Sequence, residues 1–253
     1  MRFAKGSFVL SVERDVPLLR QARNSKFVSH GQLFEYMKIG GFDHSRNSFN
    51  WRVKRLVDSG ALIVCPKVLG VNSAVYQITR AGIAALEYHG EFSTVFHSGT
   101  DHLPHTSQAF HALELNAIQL ALARSNLLAG WQSEIEVASY NVLSRLPYSK
   151  DYDAIVDVWL GENTVRFALE YERTPKGQRE YQAIREALET ESQVGCILYL
   201  TPNTEMIVRL ARQFDSLRGK LAFADARTFT TELLDTRVLT AQGQPAVFRS
   251  LLQ

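Results

Sequence analysis

The chain has little cysteine and no long apolar segment, which argues against a cysteine metal site and against a membrane-spanning helix. Its two cysteines, Cys65 and Cys196, lie far apart and in no ligand spacing, so we expect both to be buried as small hydrophobic residues. No apolar run approaches the roughly 18 residues that a membrane span requires, and we therefore expect no membrane partner. The basic start of the chain precedes an apolar segment of only Phe8, Val9 and Leu10. That segment is too short for the core of a signal peptide, which predicts a cytoplasmic protein.

Neither sign of charge is in excess, because 28 Lys and Arg residues face 26 Asp and Glu residues and the formal net charge is only +2. A chain so nearly neutral binds nucleic acid, if at all, through local basic patches. Three sequence motifs of common enzyme classes are missing as well. The chain has no histidine–hydrophobe–histidine triplet, no Gly-x-x-x-x-Gly-Lys-Ser/Thr phosphate-binding loop and no Gly-x-Ser-x-Gly nucleophile turn.

Residues 1–90 are predicted to form a winged helix-turn-helix domain. Ser29, Ser45 and Thr79 each precede a helical segment as N-caps, whereas Gly40-Gly41 and Gly60 end two of the helices. The predicted elements are helices at 15–23, from 29 onward and at 46–58, strands at 61–65 and 74–78, and a closing helix at 80–87. Three helices followed by a two-stranded hairpin are typical of this domain.

The third of these helices predicts a DNA-binding surface. At 100° per residue, one stripe carries the apolar residues Phe49, Val53, Leu56 and Val57. The opposite face carries the candidate DNA-binding residues Asn47, Ser48, Trp51, Lys54 and Arg55. In a helix-turn-helix protein this face enters the major groove, where Asn reads adenine and Lys or Arg reads guanine or contacts phosphate. The alternative is an ordinary charged surface on which Trp51 packs against another domain.

A linker is predicted at residues 91–106, and a second domain at 107–253. The linker contains His97, His102 and His105; the last two could bind zinc, but no third ligand is adjacent, and solvated loop histidines are the simpler interpretation. The predicted elements of the second domain are helices at 107–126, 178–191 and 203–217, and strands at 131–137, 153–160, 164–172, 195–200 and 221–226. This order predicts a mixed central sheet flanked by helices, so that the whole chain is α+β.

The most informative segment is the strand that ends in Glu170-Tyr171-Glu172. Alternate side chains of a strand point the same way, so Glu170 and Glu172 share one face. Two like charges on an apolar strand are costly unless a cation neutralises them. Asp153 begins the preceding strand, and carboxylate oxygens suit a divalent metal that acts on phosphate. We therefore expect Asp153 and Glu170 to bind the metal ion, with Asp157, on the face of Asp153, as a further candidate ligand.

Four residues are candidates for catalysis. Glu172 would be a general base or a further ligand, and Lys176, at the strand-to-helix junction, would neutralise charge. On the upstream helix, Glu114 falls within the apolar face of Phe110, Leu113 and Ala117, where a carboxylate requires a partner, and His111 precedes it by one turn. The alternatives are a surface ion network of the two strand glutamates with Arg173, Lys176 or Arg179, and a solvent-facing position for Glu114.

These motifs resemble the PD-(D/E)xK, restriction-endonuclease-like nucleases, which place Asp on one strand and Glu-x-(Glu or Lys) on the next. The residues that carry the resemblance are Tyr152-Asp153, Glu170-Tyr171-Glu172 and Glu114. With the winged helix, His111-x-x-x-x-Asn116 and Glu170-Tyr171-Glu172-Arg173-Thr174, the chain most resembles the MobC-type plasmid relaxases of the replication-relaxation family. It departs from the general nuclease pattern in having Glu172 where Lys is usual and Tyr152 where Pro is usual. Lys176 is the candidate substitute for the lysine.

The resemblance implies a restriction-endonuclease-like second domain that uses Mg²⁺ or Mn²⁺ to nick double-stranded DNA at a specific site. That site would be a transfer origin (oriT) in plasmid mobilisation, where accessory relaxosome proteins are further expected partners. One alternative is a non-catalytic winged-helix DNA-binding regulator with a degenerate nuclease domain. Another is a Mrr-like restriction nuclease, which would be expected to have Gln-x-Lys or Glu-x-Lys at positions 170 and 172.

Overall fold

The computed structural model describes residues 10–66, 71–94, 106–215, 217 and 221–252. The chain divides into two compact units, residues 1–116 and 117–253, so that the division falls within one long helix. None of the helices in the described ranges is long and apolar enough to cross a membrane. The three linker histidines, His97, His102 and His105, lie outside the described residues.

The first unit consists of helices and one small sheet. Its elements are α1 (Asp15–Ser25), β1 (Val28–Ser29), α2 (His30–Ile39), α3 (Arg46–Asp58), β2 (Leu62–Val64), β3 (Val75–Ile78), α4 (Arg80–Tyr88) and the first part of α5 (Thr106–Arg124). The strands pair in the antiparallel order β1-β3-β2. The predicted helices and hairpin are confirmed, and only the two-residue strand β1 was not predicted. The winged helix-turn-helix assignment itself stays a prediction.

The helix ends of this unit follow from local hydrogen bonds. The Ser29 hydroxyl accepts from the Gln32 amide at 3.3 Å, and the Gln32 side chain accepts from the Ser29 amide at 3.2 Å, which completes a capping box for α2. Thr79 caps α4 by accepting from the Gly82 amide at 3.2 Å. These side chains satisfy N–H groups that a helix start leaves without a partner. The predicted caps are thereby confirmed.

A buried ion network joins α3 to the rest of this unit. Arg52, on α3, donates from Nε to Asp43 at 2.9 Å and from Nη1 to Asp15 at 3.0 Å. Asp15, the first residue of α1, also accepts from Arg55 and from the Ser11 amide. Because Arg52, Asp15 and Asp43 are all buried, each charge depends on its partners for solvation. The network therefore fixes the orientation of α3.

The second unit is built on a seven-stranded mixed sheet. Its elements after α5 are β4 (Leu128–Ser133), α6 (Glu134–Leu143), β5 (Ala154–Leu160), β6 (Asn163–Tyr171), α7 (Gln178–Thr190), β7 (Ile197–Thr201), α8 (Thr204–Gln213), β8 (Leu221–Asp225), α9 (Ala226–Glu232), β9 (Arg237–Thr240) and β10 (Pro245–Val247), with short 3-10 helices at Leu233–Asp235 and Phe248–Leu251. The strand order is β10-β9-β8-β7-β6-β5-β4. The β6–β7 and β7–β8 pairs are parallel and the other pairs antiparallel, which confirms the predicted α+β class with a mixed central sheet.

Each face of this sheet has its own apolar packing. One face includes Ala168 and Tyr199, and it packs against Tyr181 of α7 and Leu210 of α8. On the other face, the Phe167 ring lies 5.1 Å from Phe248. Glu170 and Glu172 belong to the first face, because they alternate with Leu169 and Tyr171 in the direction of Ala168. The carboxylates therefore lie at the end of β6, beside the aromatic core.

The sequence-based assignment was wrong at several places in this unit, and two of them have a clear local cause. Residues 134–137 were predicted as the end of a strand, but they begin α6. The Glu136 carboxylate accepts from the Ser133 amide at 2.9 Å and starts the helix at that point. The strand at 221–226 was also predicted to be the last one. It is followed by α9, which Asp225 caps by accepting from the Arg227 and Thr228 amides, and by the β9–β10 hairpin.

Candidate functional site

The two glutamates at the end of β6 are both buried, on the same face, as the alternation of the strand predicts. Glu170 is 5% exposed and Glu172 is 3% exposed. The Glu172 amide donates to the Leu200 carbonyl at 2.9 Å, so β6 keeps its bonding to β7 for one residue past its end. Leu169 pairs with Ala154 across the β5–β6 hairpin, which places Asp153 opposite Glu170. The structure thus brings together Asp153, Glu170 and Glu172.

Two lysines neutralise these carboxylates. The Lys150 ammonium lies 2.7 Å from Oε1 of Glu170, and it also lies 5.5 Å from the centre of the Tyr152 ring. The Lys176 ammonium donates to Oε2 of Glu172. Lys176 was singled out in the sequence, whereas Lys150 was not. Nothing in the sequence pattern indicates that the loop before β5 brings its lysine to the end of β6.

Burial governs the protonation of the two glutamates. It raises the pKa of Glu170 to about 7, against the opposing charge of Lys150 and with a further increase from Asp153. Burial also raises the pKa of Glu172, although the Lys176 ammonium partly offsets the increase. The same ion pair raises the pKa of Lys176 above its usual value, although burial opposes that change. The group therefore favours an additional cation or a proton.

Asp153 is held by the backbone of the neighbouring strand. Its Oδ2 accepts from the Tyr171 amide at 2.7 Å, so the carboxylate is fixed at the level of Glu170. The predicted ligand Asp157 has a different environment. Both of its oxygens accept from Arg166, Oδ1 from Nε at 2.8 Å and Oδ2 from Nη2 at 2.9 Å. This bidentate pair gives Asp157 a partner of its own, and its role as a metal ligand stays a prediction.

The loop that carries Lys150 and Asp153 is held by Glu191, which directly follows α7. One oxygen of Glu191 accepts from the Ser149 amide at 2.9 Å and from the Tyr152 hydroxyl at 2.9 Å. The other accepts from the Gln193 amide at 2.6 Å. Burial alone would raise the pKa of Glu191, but these hydrogen bonds lower it below its usual value. Glu191 is therefore a charged anchor for the loop, and the sequence offered no signal for it.

Tyr199 places a second polar group next to the acidic residues. It pairs in register with Glu170 on the parallel strand β7, so the two side chains lie on the same face. Its hydroxyl is buried and has no hydrogen-bond partner among the described residues. Burial and the nearby Glu170 raise its pKa well above the usual value. The hydroxyl is therefore a neutral donor that a bound water or ligand oxygen would satisfy.

The candidates on α5 belong to the first unit. His111 and Glu114 are half-buried, but Ala117, which was expected to share their apolar face, is exposed. Asn116, which contributed to the family resemblance, donates its amide to the Phe27 carbonyl at 2.8 Å and is buried. That contact gives Asn116 a structural role within the first unit. The catalytic roles of His111 and Glu114 stay predictions.

The predicted DNA-binding face of α3 is largely exposed. Asn47, Lys54 and Trp51 are exposed, the last at 63%, whereas Ser48 is half-buried. Arg55 is partly committed within the unit, because it bonds Asp15 while its guanidinium lies 5.2 Å from the centre of the Trp51 ring. An exposed tryptophan beside a cation is available to a partner. The DNA-binding roles of these residues stay predictions.

Metal binding by this group would depend on few protein ligands. Within the described ranges, no three His, Cys, Asp or Glu side chains converge as a complete metal site. Mg²⁺ usually retains several waters and takes one or two carboxylates plus substrate phosphate. Glu170, which is buried beside Glu172, and the half-buried Asp153 opposite it match that smaller requirement.

Comparison with known proteins gives only remote similarity. No protein-family model matches the chain, and no curated protein matches it. Two solved structures are similar at a low level. The restriction endonuclease FokI has a TM-score of 0.29 and 10% identity, and the match covers 87% of this chain and 42% of FokI. FokI bound to DNA has a TM-score of 0.27 and 11% identity, and the match covers 86% of this chain and 43% of that one. The chain therefore spans less than half the length of either protein. Both TM-scores are too low to establish a shared fold.

Proposed function

We propose that this protein is a metal-dependent DNA endonuclease with a restriction-endonuclease-like second domain, and that it nicks one strand at a specific site such as a transfer origin. The observation that carries the proposal is the group of Asp153, Glu170 and Glu172 with Lys150 and Lys176 at the end of β6, in which both glutamates are buried. Buried carboxylates with raised pKa values are common at catalytic sites. The exposed polar and aromatic face of α3 supports a role for the first unit in DNA binding.

A divalent cation fits the charge of this group. Three ionised carboxylates and two ammonium groups leave one negative charge, so Mg²⁺ or Mn²⁺ would leave one positive charge, which suits a phosphodiester anion. Asp153 and Glu170 would hold the ion. When bound, it supplies Lewis-acid stabilisation of the phosphate and lowers the pKa of a water ligand.

The chain's own residues would divide the remaining work. Glu172, with its raised pKa, would accept a proton at the carboxylate that Lys176 now bonds. Lys150 would offset negative charge near Glu170, in place of the lysine that position 172 lacks. Glu191 and Tyr152 would keep Lys150 in position through the loop bonds. In this proposal Lys150 and Lys176 share a task that we expected of Lys176 alone.

Nicking of supercoiled plasmid tests the proposal. The substrate is a plasmid carrying the DNA that flanks this protein's own gene, compared with the empty vector, each with Mg²⁺ or Mn²⁺. Wild type is expected to convert the first plasmid to open circles. Glu170→Gln is expected to reduce the rate by about 100-fold or more, the scale on which a charge-stabilising group contributes. Glu189→Gln, an exposed glutamate of α7, is the matched control and should keep wild-type activity.

Three other outcomes of the nicking assay would change or contradict the proposal. Linear DNA as the first product would show that the protein cleaves both strands, as a restriction nuclease does, instead of nicking one. Equal activity of wild type and Glu170→Gln would remove the proposed site. Specific binding of the flanking DNA, without strand breaks by any of the proteins, would contradict the proposal that this protein is a nuclease.

That last outcome would favour the non-catalytic DNA-binding regulator. One observation supports this second candidate, because both buried glutamates already have a lysine partner and need no metal for neutralisation. The relaxase setting, with accessory proteins at a transfer origin, is part of the first proposal and rests on the resemblance of the motifs. A cytoplasmic location is proposed with it.

A further inference from the structure

Three side chains form a hydrogen-bonded series across three elements of the first unit. The oxygen of Asn50, on α3, lies 2.9 Å from Nε2 of His30, the first residue of α2. Nδ1 of His30 lies 3.0 Å from the hydroxyl of Tyr76, on β3. Because an amide oxygen only accepts, Nε2 of His30 donates to Asn50, while Nδ1 faces the tyrosine hydroxyl.

Aromatic packing holds the centre of the series. The His30 ring meets Phe49 edge-on with centroids 5.0 Å apart, and it lies 5.9 Å from the Tyr76 ring. Phe49 and Tyr76 are buried in the unit, so both contacts are anchored. His30 therefore has little freedom to turn. Asn50, although exposed, is held by a rigid partner instead of sampling several rotamers.

Asn50 lies among the residues predicted to bind DNA. It is on the exposed surface of α3, three residues after Asn47, next to Trp51 and four residues before Lys54. Within the described residues its side chain bonds through the oxygen alone, which leaves the amide N–H groups to donate outward. A pre-oriented donor loses less entropy when it binds than a mobile one does.

We propose that Asn50, positioned by His30 and Tyr76, is a DNA-contacting residue that donates its amide N–H to an acceptor of the duplex. The acceptor is N7 or O6 of a purine or a phosphate oxygen, since all three accept the same donor. The inference rests on the proposed function, in that it requires the first unit to bind DNA. Asn50 was not among the residues that the sequence pattern indicated.

The test uses the full chain in EDTA, so that binding is measured without cleavage. Wild type and Asn50→Ala are each taken through selection from a random 30-base-pair duplex library, and the selected duplexes are then titrated by fluorescence anisotropy at several NaCl concentrations. Asn50→Ala is expected to bind about 10-fold more weakly. Asn163→Ala, an exposed asparagine of the second unit, is the matched control and should bind as wild type does.

The two kinds of acceptor give different results. A base contact removes the preference at one position of the selected sequence, whereas a phosphate contact weakens binding to every sequence and lowers the salt slope by about one. His30→Ala should reproduce the same loss in smaller measure, because it frees Asn50 without removing it. Circular dichroism melting checks that each variant is folded.

Two results would overturn the inference. If wild type selects and binds duplexes and Asn50→Ala does so with equal affinity, preference and salt slope, Asn50 makes no contact, but DNA binding stands. If wild type binds no duplex from the library, the DNA-binding part of the proposed function fails together with the inference.

Discussion

Glu170 shows how opposing forces on one side chain define the candidate site. Burial disfavours its charge, Asp153 disfavours it further, and Lys150 at 2.7 Å favours it. A carboxyl group with a pKa near neutrality changes its protonation state easily near pH 7. In the proposed function, the metal ion would compete with that proton for the carboxylate.

The raised pKa of Glu170 predicts a pH dependence of stability. Its pKa is about 7 in the folded protein against 4.5 for an ordinary glutamate, so the folded state binds the proton more tightly. The contribution of Glu170 to the free energy of unfolding is then fully present below pH 4.5 and is lost as the pH rises through 7. Its upper bound is on the order of 3 kcal/mol.

Urea unfolding in EDTA at pH 5.5 and pH 8.0 measures this effect. The stability of wild type relative to Glu170→Gln should fall between the two pH values, because glutamine does not ionise. Glu189→Gln, run beside it, should follow wild type at both. A difference between wild type and Glu170→Gln that is constant with pH would contradict a raised Glu170 pKa.

At the scale of elements, the informative case is α3, in which the buried apolar residues follow the helical period but the buried Arg52 does not. Its apolar residues Phe49, Val53 and Leu56 are buried as the helical period predicts. Arg52 is buried with them, which no apolar periodicity indicates, because its partners Asp15 and Asp43 come from outside the helix. A helical pattern locates the buried stripe but leaves out a charge that is neutralised by tertiary contacts.

Replacement of Arg52 by methionine is expected to destabilise the first unit strongly. The change leaves the buried carboxylates of Asp15 and Asp43 without Arg52, and breaking a buried ion pair costs about 3–5 kcal/mol. Chemical denaturation gives the loss, and hydrogen exchange shows whether α1 and α3 lose protection. Arg46→Met, on the exposed side of α3, is the control; among the described residues it loses only the contact of the guanidinium with the Phe34 ring, 5.0 Å from the ring centre, and should cost no more than about 1 kcal/mol. Equal losses for the two variants would mean that Arg52 does not hold α3.

Strand and helix boundaries were predictable where local chemistry was decisive. The caps at Ser29, Ser45 and Thr79 gave correct helix starts, since a cap bonds amides of its own first turn. Residues 134–137 were wrongly assigned to a strand, because their alternation of polar and apolar residues fits both a strand and the first turn of a capped helix. The capping bond from Ser133 to Glu136 decides between them.

At the scale of the whole molecule, metal binding should appear as a gain in stability. A ligand that binds only the folded state adds about 2.7 kcal/mol at a concentration of 100 times its Kd. Mn²⁺ should therefore raise the Tm of wild type, and it should do so more at pH 8 than at pH 6 because ionised carboxylates bind it. Differential scanning fluorimetry measures the shift.

The matched variants make this result specific. Glu170→Gln and Asp153→Asn should lose most of the Mn²⁺-induced shift, whereas Glu189→Gln should keep it. Hydrogen exchange should gain protection around residues 153–172 in wild type and Glu189→Gln, but not in the other two variants. An equal rise in Tm for all four proteins would indicate unspecific binding and contradict the assigned ligands.

The sequence by itself determined the parts of this protein that depend on near neighbours in the chain. Strand alternation placed Glu170 and Glu172 on one face, and the short β5–β6 hairpin brought Asp153 opposite Glu170. The tertiary structure alone brought Lys150, Tyr199 and Glu191 to that place, through a loop, a parallel strand and the residue after a helix. Local periodicity describes which way a side chain points from its own element. It carries no information on which distant element will lie opposite, because that depends on how the whole sheet is ordered.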